Sequence, residues 1–159
     1  EGTWGIQGLD ILGRKMQMQD GAAVAILREE IQSTIESAVG HSALAEHCTQ
    51  LEASLTQMEE TVQAVAACGD KSLALANATI FLDAAGHIVI AWMWLKQAVA
   101  ASNGLGSGDA GDVAFYKGKL AATKFFFRYE LPKSSAGLSL VAGLDSTCYD
   151  LTAEQFLGA

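Results

Sequence analysis

The feature that most constrains the fold of this sequence is a long apolar stretch in its middle. Between Lys71 and Lys96 the only formal charge is Asp83. From Ile80 to Leu95, apolar residues would lie on nearly every side of a helix, and a helix of that kind is enclosed by other elements. We therefore predict a central helix over about residues 71–103.

The same stretch is long enough to cross a membrane. In lipid, however, Asn77, Asp83 and His87 would lose contact with water, and the aspartate alone would cost about 3 kcal/mol. We therefore predict no membrane span. Asp83 and His87 are four residues apart, share a helix face and can hydrogen-bond to each other. One acid and one histidine make neither a metal site nor a catalytic dyad, so a structural pair is the favoured interpretation.

An amphipathic stretch precedes this central helix. Residues 21–39 place apolar side chains on one face, with Arg28 and the glutamates largely opposite. Asp20-Gly21 is a plausible start for this helix and Gly40 a natural stop. The apolar face consists of Val24, Leu27, Ile31, Ile35 and Ala38.

The next helix has a heptad seam, in which apolar residues alternate spacings of four and three. Ser42 can cap this helix, Cys68-Gly69-Asp70 ends it, and Glu52, Glu59 and Glu60 are expected to face water. An intermolecular coiled coil gives such a seam, but a bundle helix inside one chain does so too and is favoured by the neighbouring amphipathic helices. The seam consists of Leu44, Cys48, Leu51, Leu55, Met58, Val62 and Val65.

A glycine-rich loop and a basic helix follow the central helix. Segment 103–111 has no strand before it and no Gly-Lys-Ser/Thr sequence, so we expect a mobile linker rather than a phosphate cradle. The helix over 109–130 carries a stripe of Lys117, Lys124 and Arg128. The stripe either contacts anionic groups of a cofactor or partner, or is a solvated face or pairs with acids of the first two helices. The second interpretation is favoured.

The remaining pattern completes an all-helical prediction. Leu131-Pro132 breaks the basic helix, a short helix follows to Gly143, and Thr152 to Gln155 has the pattern of a capping box. A lone proline and the lack of alternating Val/Thr/Ile runs argue against sheet. We predict an all-α antiparallel bundle of four main helices with a short leading helix and a short C-terminal helix.

Charge and cysteine content narrow the functional classes. The net charge of −8 disfavours nucleic acid as a partner, because phosphate backbones need clustered cations. Cys48, Cys68 and Cys148 are odd in number and lack the spacing of zinc ligands, so we predict neither a disulfide framework nor a metal site. Reduced thiols and the lack of a signal peptide or lipidation motif lead us to expect a cytoplasmic protein.

Residues 1–15 are the most informative for function, and they read Glu-Gly-Thr-Trp-Gly-Ile-Gln-Gly-Leu-Asp-Ile-Leu-Gly-Arg-Lys. A carboxylate in a dry pocket gains the basicity that removal of a weakly acidic proton requires. A glycine after such a base permits close backbone approach, and a threonine hydroxyl can donate to a cofactor or cap a helix. The segment resembles the Glu-Gly-Thr-x-x-Ile-Gln motif of flavin-dependent acyl-CoA dehydrogenases. Segments 86–94 and 115–127 resemble the helical C-terminal extension of the larger members, including those acting on short sulfur-containing substrates such as 3-methylmercaptopropionyl-CoA.

The resemblance implies a catalytic role for Glu1. In the family the matching glutamate removes the α proton of an acyl-CoA while a hydride leaves the β carbon for FAD. Thr3, Gly5 and Gln7 match positions on the flavin side of the motif, with Thr3 the best candidate for direct contact. Trp4 departs from the small polar residue that is usual there.

The resemblance also implies a division of the chain. Residues 1–19 would be the end of a dehydrogenase core, and residues 20–159 a bundle that covers the core or joins copies in a homo-oligomer. The partners would be the remainder of its own chain and the acyl-CoA substrate, and the isolated chain would be inactive. Ile6, Leu9 and Leu12 would need an upstream surface to cover them. The alternative is a non-enzymatic helical interaction module whose first residues match by chance.

Overall fold

The computed structural model describes residues 3–107 and 112–158. Within these residues the chain forms helices and no β strand, which confirms the predicted all-α class. The α helices are α1 (Trp4–Asp10), α2 (Ala22–Ala38), α3 (Ala45–Ala66), α4 (Lys71–Leu75), α5 (Ala78–Gly106), α6 (Val113–Phe125), α7 (Lys133–Ala142) and α8 (Ala153–Leu157). Three shorter helical turns adjoin them: a π turn at Ile11–Lys15, a 3-10 turn at Ser42–Leu44 and a π turn at Phe126–Glu130.

Helix α5 is the core of the molecule. Its Phe81, Ile88, Ala91, Leu95 and Ala98 have no solvent exposure. Helices α1, α2, α3, α6 and α7 all pack against it. By length and composition α5 is also the one helix of the described residues that could cross a membrane. The enclosure predicted from its nearly all-round apolar surface is only partial, because Ile90 and Met93 of α5 are 48% and 36% exposed.

The predicted central helix is interrupted near its start. Ala76 and Asn77 form a turn that separates α4 from α5, so the prediction of one helix from residue 71 is wrong. The side chain of Asn77 is almost fully buried, and its Nδ2 donates to the carbonyl oxygen of Asp145, 2.8 Å away. The turn is therefore held by a bond to the chain that follows α7, which a local sequence pattern does not reveal.

At its other end the central helix is longer than predicted. It continues through Gly106, so the prediction of a linker from residue 103 is wrong for residues 103–106. The ring of Tyr116 lies against Gly104, where a β-carbon would be only 2.5 Å from a ring atom. The glycine thus lets α6 approach α5 closely. Residues 108–111 of the predicted linker lie outside the described residues.

The heptad seam of α3 faces the inside of the bundle. Leu51, Leu55 and Met58 are fully buried, so the seam is satisfied within one chain, as favoured from the sequence. The predicted cap at Ser42 is wrong, because this residue begins a 3-10 turn and Leu44 is the residue before α3.

The end of the chain follows the predicted order. Helix α7 begins directly after Pro132 and buries Leu138 and Val141. The capping box is confirmed: the Thr152 hydroxyl accepts from the backbone of Gln155, and the Gln155 side chain accepts from the backbone of Thr152. Helix α8 itself has no buried residue.

Candidate functional site

The leading helix α1 is anchored to the bundle by its C-terminal half. Gly8 lies so close to α5 that a β-carbon would be 2.8 Å from the carbonyl oxygen of Ala78. Leu12, in the π turn that extends α1, is fully buried in the core. Gly13 faces Leu75, where a β-carbon would lie 3.2 Å from two methyl groups. The expectation that Leu12 needs an upstream surface is therefore wrong.

The residues predicted on the flavin side lie together at the exposed start of α1. Thr3 is the N-cap residue, and its hydroxyl makes no capping bond to the helix backbone. Its Oγ1 accepts instead from Nε2 of Gln7, one turn later, at 3.4 Å. A β-carbon at Gly5 would meet no atom within 4 Å. The predicted base Glu1 lies outside the described residues.

The start of α1 is also apolar. The exposed fractions of Trp4, Ile6 and Leu9 are 54%, 67% and 48%. Three large apolar side chains on two turns of one helix form a surface that calls for a partner. For Ile6 and Leu9 the expectation of missing cover therefore agrees with the described residues.

A groove of about 570 Å³ lies between the turn after α1, helix α2 and helix α3. Its apolar walls come mainly from Met16, Val24 and Val62. At one end the backbone of Gln19, Asp20 and Gly21 turns with positive φ angles of 50°, 55° and 87°. This turn ends the leading segment and reverses the chain so that α2 packs beside α3.

Arg28 of α2 faces α3 rather than water, which corrects its predicted place opposite the apolar face. Its Nε and Nη2 donate to the two carboxylate oxygens of Glu59, each at 2.6 Å, and its Nη1 donates to Glu52 at 3.0 Å. These bonds, first those with Glu59 and then that with Glu52, raise the pKa of Arg28 above its usual value. Glu59 is only 20% exposed, so the prediction that it faces water is wrong. The cation of the groove is thus bound to protein carboxylates and is not offered to a ligand.

His87 pairs with Glu130 and with backbone, not with the carboxylate of Asp83. Its Nδ1 donates to the carbonyl oxygen of Asp83 at 2.8 Å, and its Nε2 lies 3.7 Å from a carboxylate oxygen of Glu130. Lys133 donates to the same Glu130 carboxylate at 2.7 Å and lowers its pKa. The favoured structural interpretation of His87 fits this geometry, with a different acid as its partner.

The predicted basic stripe of α6 is divided between two surroundings. Lys124 and Arg128 line a cavity beside α3, whereas Lys117 does not. Among the described residues none of the three forms an ion pair, so the expectation of pairs with acids of the first two helices is wrong there. All three are exposed, which agrees with the other half of the favoured interpretation, a solvated face. The same cavity contains His47, which sequence reasoning missed because a lone histidine on an amphipathic helix gives no periodic signal.

Comparison of the sequence with known proteins identifies the family to which the chain belongs. Residues 27–152 match the family described as "Acetyl-CoA dehydrogenase C-terminal like". The chain belongs to this family. It is also 30% identical, over 169 aligned positions, to the broad-specificity linear acyl-CoA dehydrogenase FadE5 of Mycobacterium tuberculosis.

That alignment covers 98% of this chain and 27% of the mycobacterial protein. The chain therefore spans about a quarter of the length of this relative. Because nearly the whole chain is aligned, the match includes most of the leading segment as well as the bundle. The resemblance to the C-terminal portion of acyl-CoA dehydrogenases is thereby confirmed.

Proposed function

We propose that this chain is the C-terminal part of an FAD-dependent acyl-CoA dehydrogenase that oxidises a linear acyl-CoA thioester. The observation that carries the proposal is the alignment of nearly the entire chain with an acyl-CoA dehydrogenase of broad specificity for linear substrates. The family match over the bundle supports the same assignment.

In the proposed reaction Glu1 is the base. Its carboxylate takes the proton from the α carbon, and the electron pair of the broken C–H bond forms the α,β double bond. The β hydrogen leaves with its electron pair as a hydride, which FAD accepts when it is bound. Glutamate suits the first step because a carboxylate held away from water has a raised pKa and is a stronger base.

The start of α1 suits one edge of a flavin site. Thr3 and Gln7 place a hydroxyl and an amide within one turn, and both groups hydrogen-bond readily to a polar ring edge. Gly5 between them leaves open space for a flat group. Thr3 is the best candidate for direct contact, since its hydroxyl is not used in capping.

The bundle is proposed to support this site rather than to contain one. Residues 20–159 would cover the dehydrogenase core or join copies of the enzyme, and the apolar start of α1 would pack on the rest of the chain. Gly8 and Leu12 then link the two parts, because they fix α1 to α5. The free thiols of Cys48, Cys68 and Cys148 are compatible with the proposed cytoplasmic location.

Replacing Glu1 by glutamine in the complete enzyme tests the proposal. The change keeps the shape of the side chain and removes the base, so we expect reduction of FAD by substrate to slow by at least ~10²-fold. Stopped-flow measurement of flavin absorbance gives this rate directly. Glu60→Gln, the same chemical change at an exposed site of α3, should leave the rate unchanged. A near-normal rate in Glu1→Gln would assign the base to another residue.

A further inference from the structure

Two unpaired cations share a cavity of about 320 Å³ between the first half of α3 and the end of α6. Neither Lys124 nor Arg128 lies within ion-pair distance of a carboxylate among the described residues. The cavity is lined by Glu46, His47, Gln50, Lys124, Phe127, Arg128 and Pro132.

The opposite wall of the cavity contains buried polar atoms without partners. Nδ1 of His47 and Oε1 of Gln50 are both buried and make no hydrogen bond of good geometry. They are one helical turn apart, close enough for the Gln50 side chain to raise the pKa of His47 as a hydrogen-bond partner does. The amide nitrogen of Gln50 already donates to Glu46 at 3.2 Å.

The aromatic ring of Phe127 holds His47 in place. The two rings stack with their centroids 4.6 Å apart, and Phe127 is almost fully buried. The other ring nitrogen of His47, Nε2, has no hydrogen-bond partner among the described residues. A second proton on Nε2 would make His47 a cationic donor beside Lys124 and Arg128.

Arg128 reaches this cavity because α6 ends in a π turn. The turn covers Phe126–Glu130, and within it Phe127 points into the core while Arg128 stays exposed. Single π turns within α helices occur frequently at functional sites, since the wider turn redirects the side chains that it carries.

We propose that this cavity is a binding site for a phosphate group. Lys124 and Arg128 outnumber the single carboxylate, Glu46, and give the cavity a positive charge. The guanidinium of Arg128 offers a planar fork of N–H donors that matches phosphate oxygens. A protonated His47 adds a third charged donor to those of Lys124 and Arg128.

The titration of His47 reports on the site. Burial lowers the pKa of His47, and the charge of Lys124 lowers it further, while Glu46 and Gln50 raise it. A phosphate bound between His47 and the two cations adds negative charge beside the ring and raises this pKa. By linkage, phosphate of a given charge then binds about tenfold more tightly to the protonated form of His47 than to the neutral form for each unit of the rise.

The test is an NMR titration of the His47 ring in the 159-residue chain, with inorganic phosphate at constant ionic strength. We expect phosphate to raise the pKa of His47. Lys124→Gln and Arg128→Gln should each weaken phosphate binding by about tenfold or more, because a charged donor is lost. Lys117→Gln removes a cation from the same helix outside the cavity and should leave binding unchanged.

Adenosine 3′-monophosphate distinguishes the source of the group. Binding of inorganic phosphate and of the nucleotide supports a site for any accessible phosphate, and binding of the nucleotide alone supports a site for a phosphate ester. An unchanged His47 titration with both compounds, or an equal loss of binding in Lys117→Gln, would overturn the proposal and leave a solvated basic surface. None of these outcomes depends on the role proposed for Glu1.

Discussion

At the scale of single residues, the glycines of the leading segment have different roles. Gly8 permits contact between two helix backbones, because a side chain there would meet the carbonyl group of Ala78. Gly5, three residues earlier on the same helix, has open space around it. Only the first of these glycines is required by packing, so the second is available for a role toward a ligand.

Alanine substitutions separate these roles. We expect Gly8→Ala to lower the free energy of unfolding by about 1–3 kcal/mol. The new methyl group would collide with the backbone of Ala78, which cannot move aside as a flexible side chain can. Gly5→Ala should raise it by up to about 0.5–1 kcal/mol, because alanine restricts the unfolded chain and favours helix. Urea unfolding of the two variants measures both changes. Equal effects would show that α1 does not rest on α5 as described.

At the scale of elements, the sequence predicted helices where a periodic pattern determines them. The seam of α3 was found because Leu51, Leu55 and Met58 recur at heptad spacing, and their burial confirms it. The stop at Pro132 follows from the missing backbone N–H of proline. These features are local, and neighbouring residues specify them without the rest of the fold.

Features that depend on distant residues were missed. The turn at Asn77 is held by the carbonyl group of Asp145, 68 positions later. Gly104 looked like part of a linker, but it is the place where Tyr116 packs on α5.

The two candidate sites also differ in whether local sequence or distant residues determine them. Thr3, Gly5 and Gln7 were found through a contiguous motif, and they lie together on α1. The cavity beside His47 brings together residues of α3 and α6 that are far apart in sequence. No spacing rule connects such residues before the fold is known.

The contact between α2 and α3 can be tested through Arg28. Replacing it by methionine keeps the length of the side chain but leaves Glu52 and Glu59 without their donor. We expect the free energy of unfolding to fall by about 1–2 kcal/mol, less than for a buried pair because the Arg28 side chain is 33% exposed.

Arg14→Met is the matched control. Arg14 pairs with Asp10 on the surface of α1, where its side chain is 64% exposed, so its removal should change stability little. Urea unfolding of both variants at low and high salt provides the comparison. A loss in Arg28→Met no larger than that in Arg14→Met would mean that the network between α2 and α3 contributes no more than a surface pair.

At the scale of the whole molecule, the chain combines a buried core with an exposed start of helix α1, which we call the open edge. Helix α5 buries one side of its length against its neighbours, and Leu12 joins the leading segment to that core. The start of α1, in contrast, exposes Trp4, Ile6 and Leu9 next to Thr3 and Gln7. An anchored helix with an exposed apolar and polar end is suited to completing a site that other residues of the proposed dehydrogenase would build.

This open edge predicts how the 159-residue chain behaves on its own. A flavin site buries most of its ligand and uses many contacts at once, whereas Thr3, Gly5 and Gln7 would supply only one exposed edge of it. We expect the purified chain to bind no FAD and to oxidise no acyl-CoA, while the complete enzyme does both. Absorbance after incubation with FAD and removal of free flavin measures binding, with the complete enzyme as the control. A stoichiometric flavin band in the isolated chain would mean that its own residues form the larger part of the site.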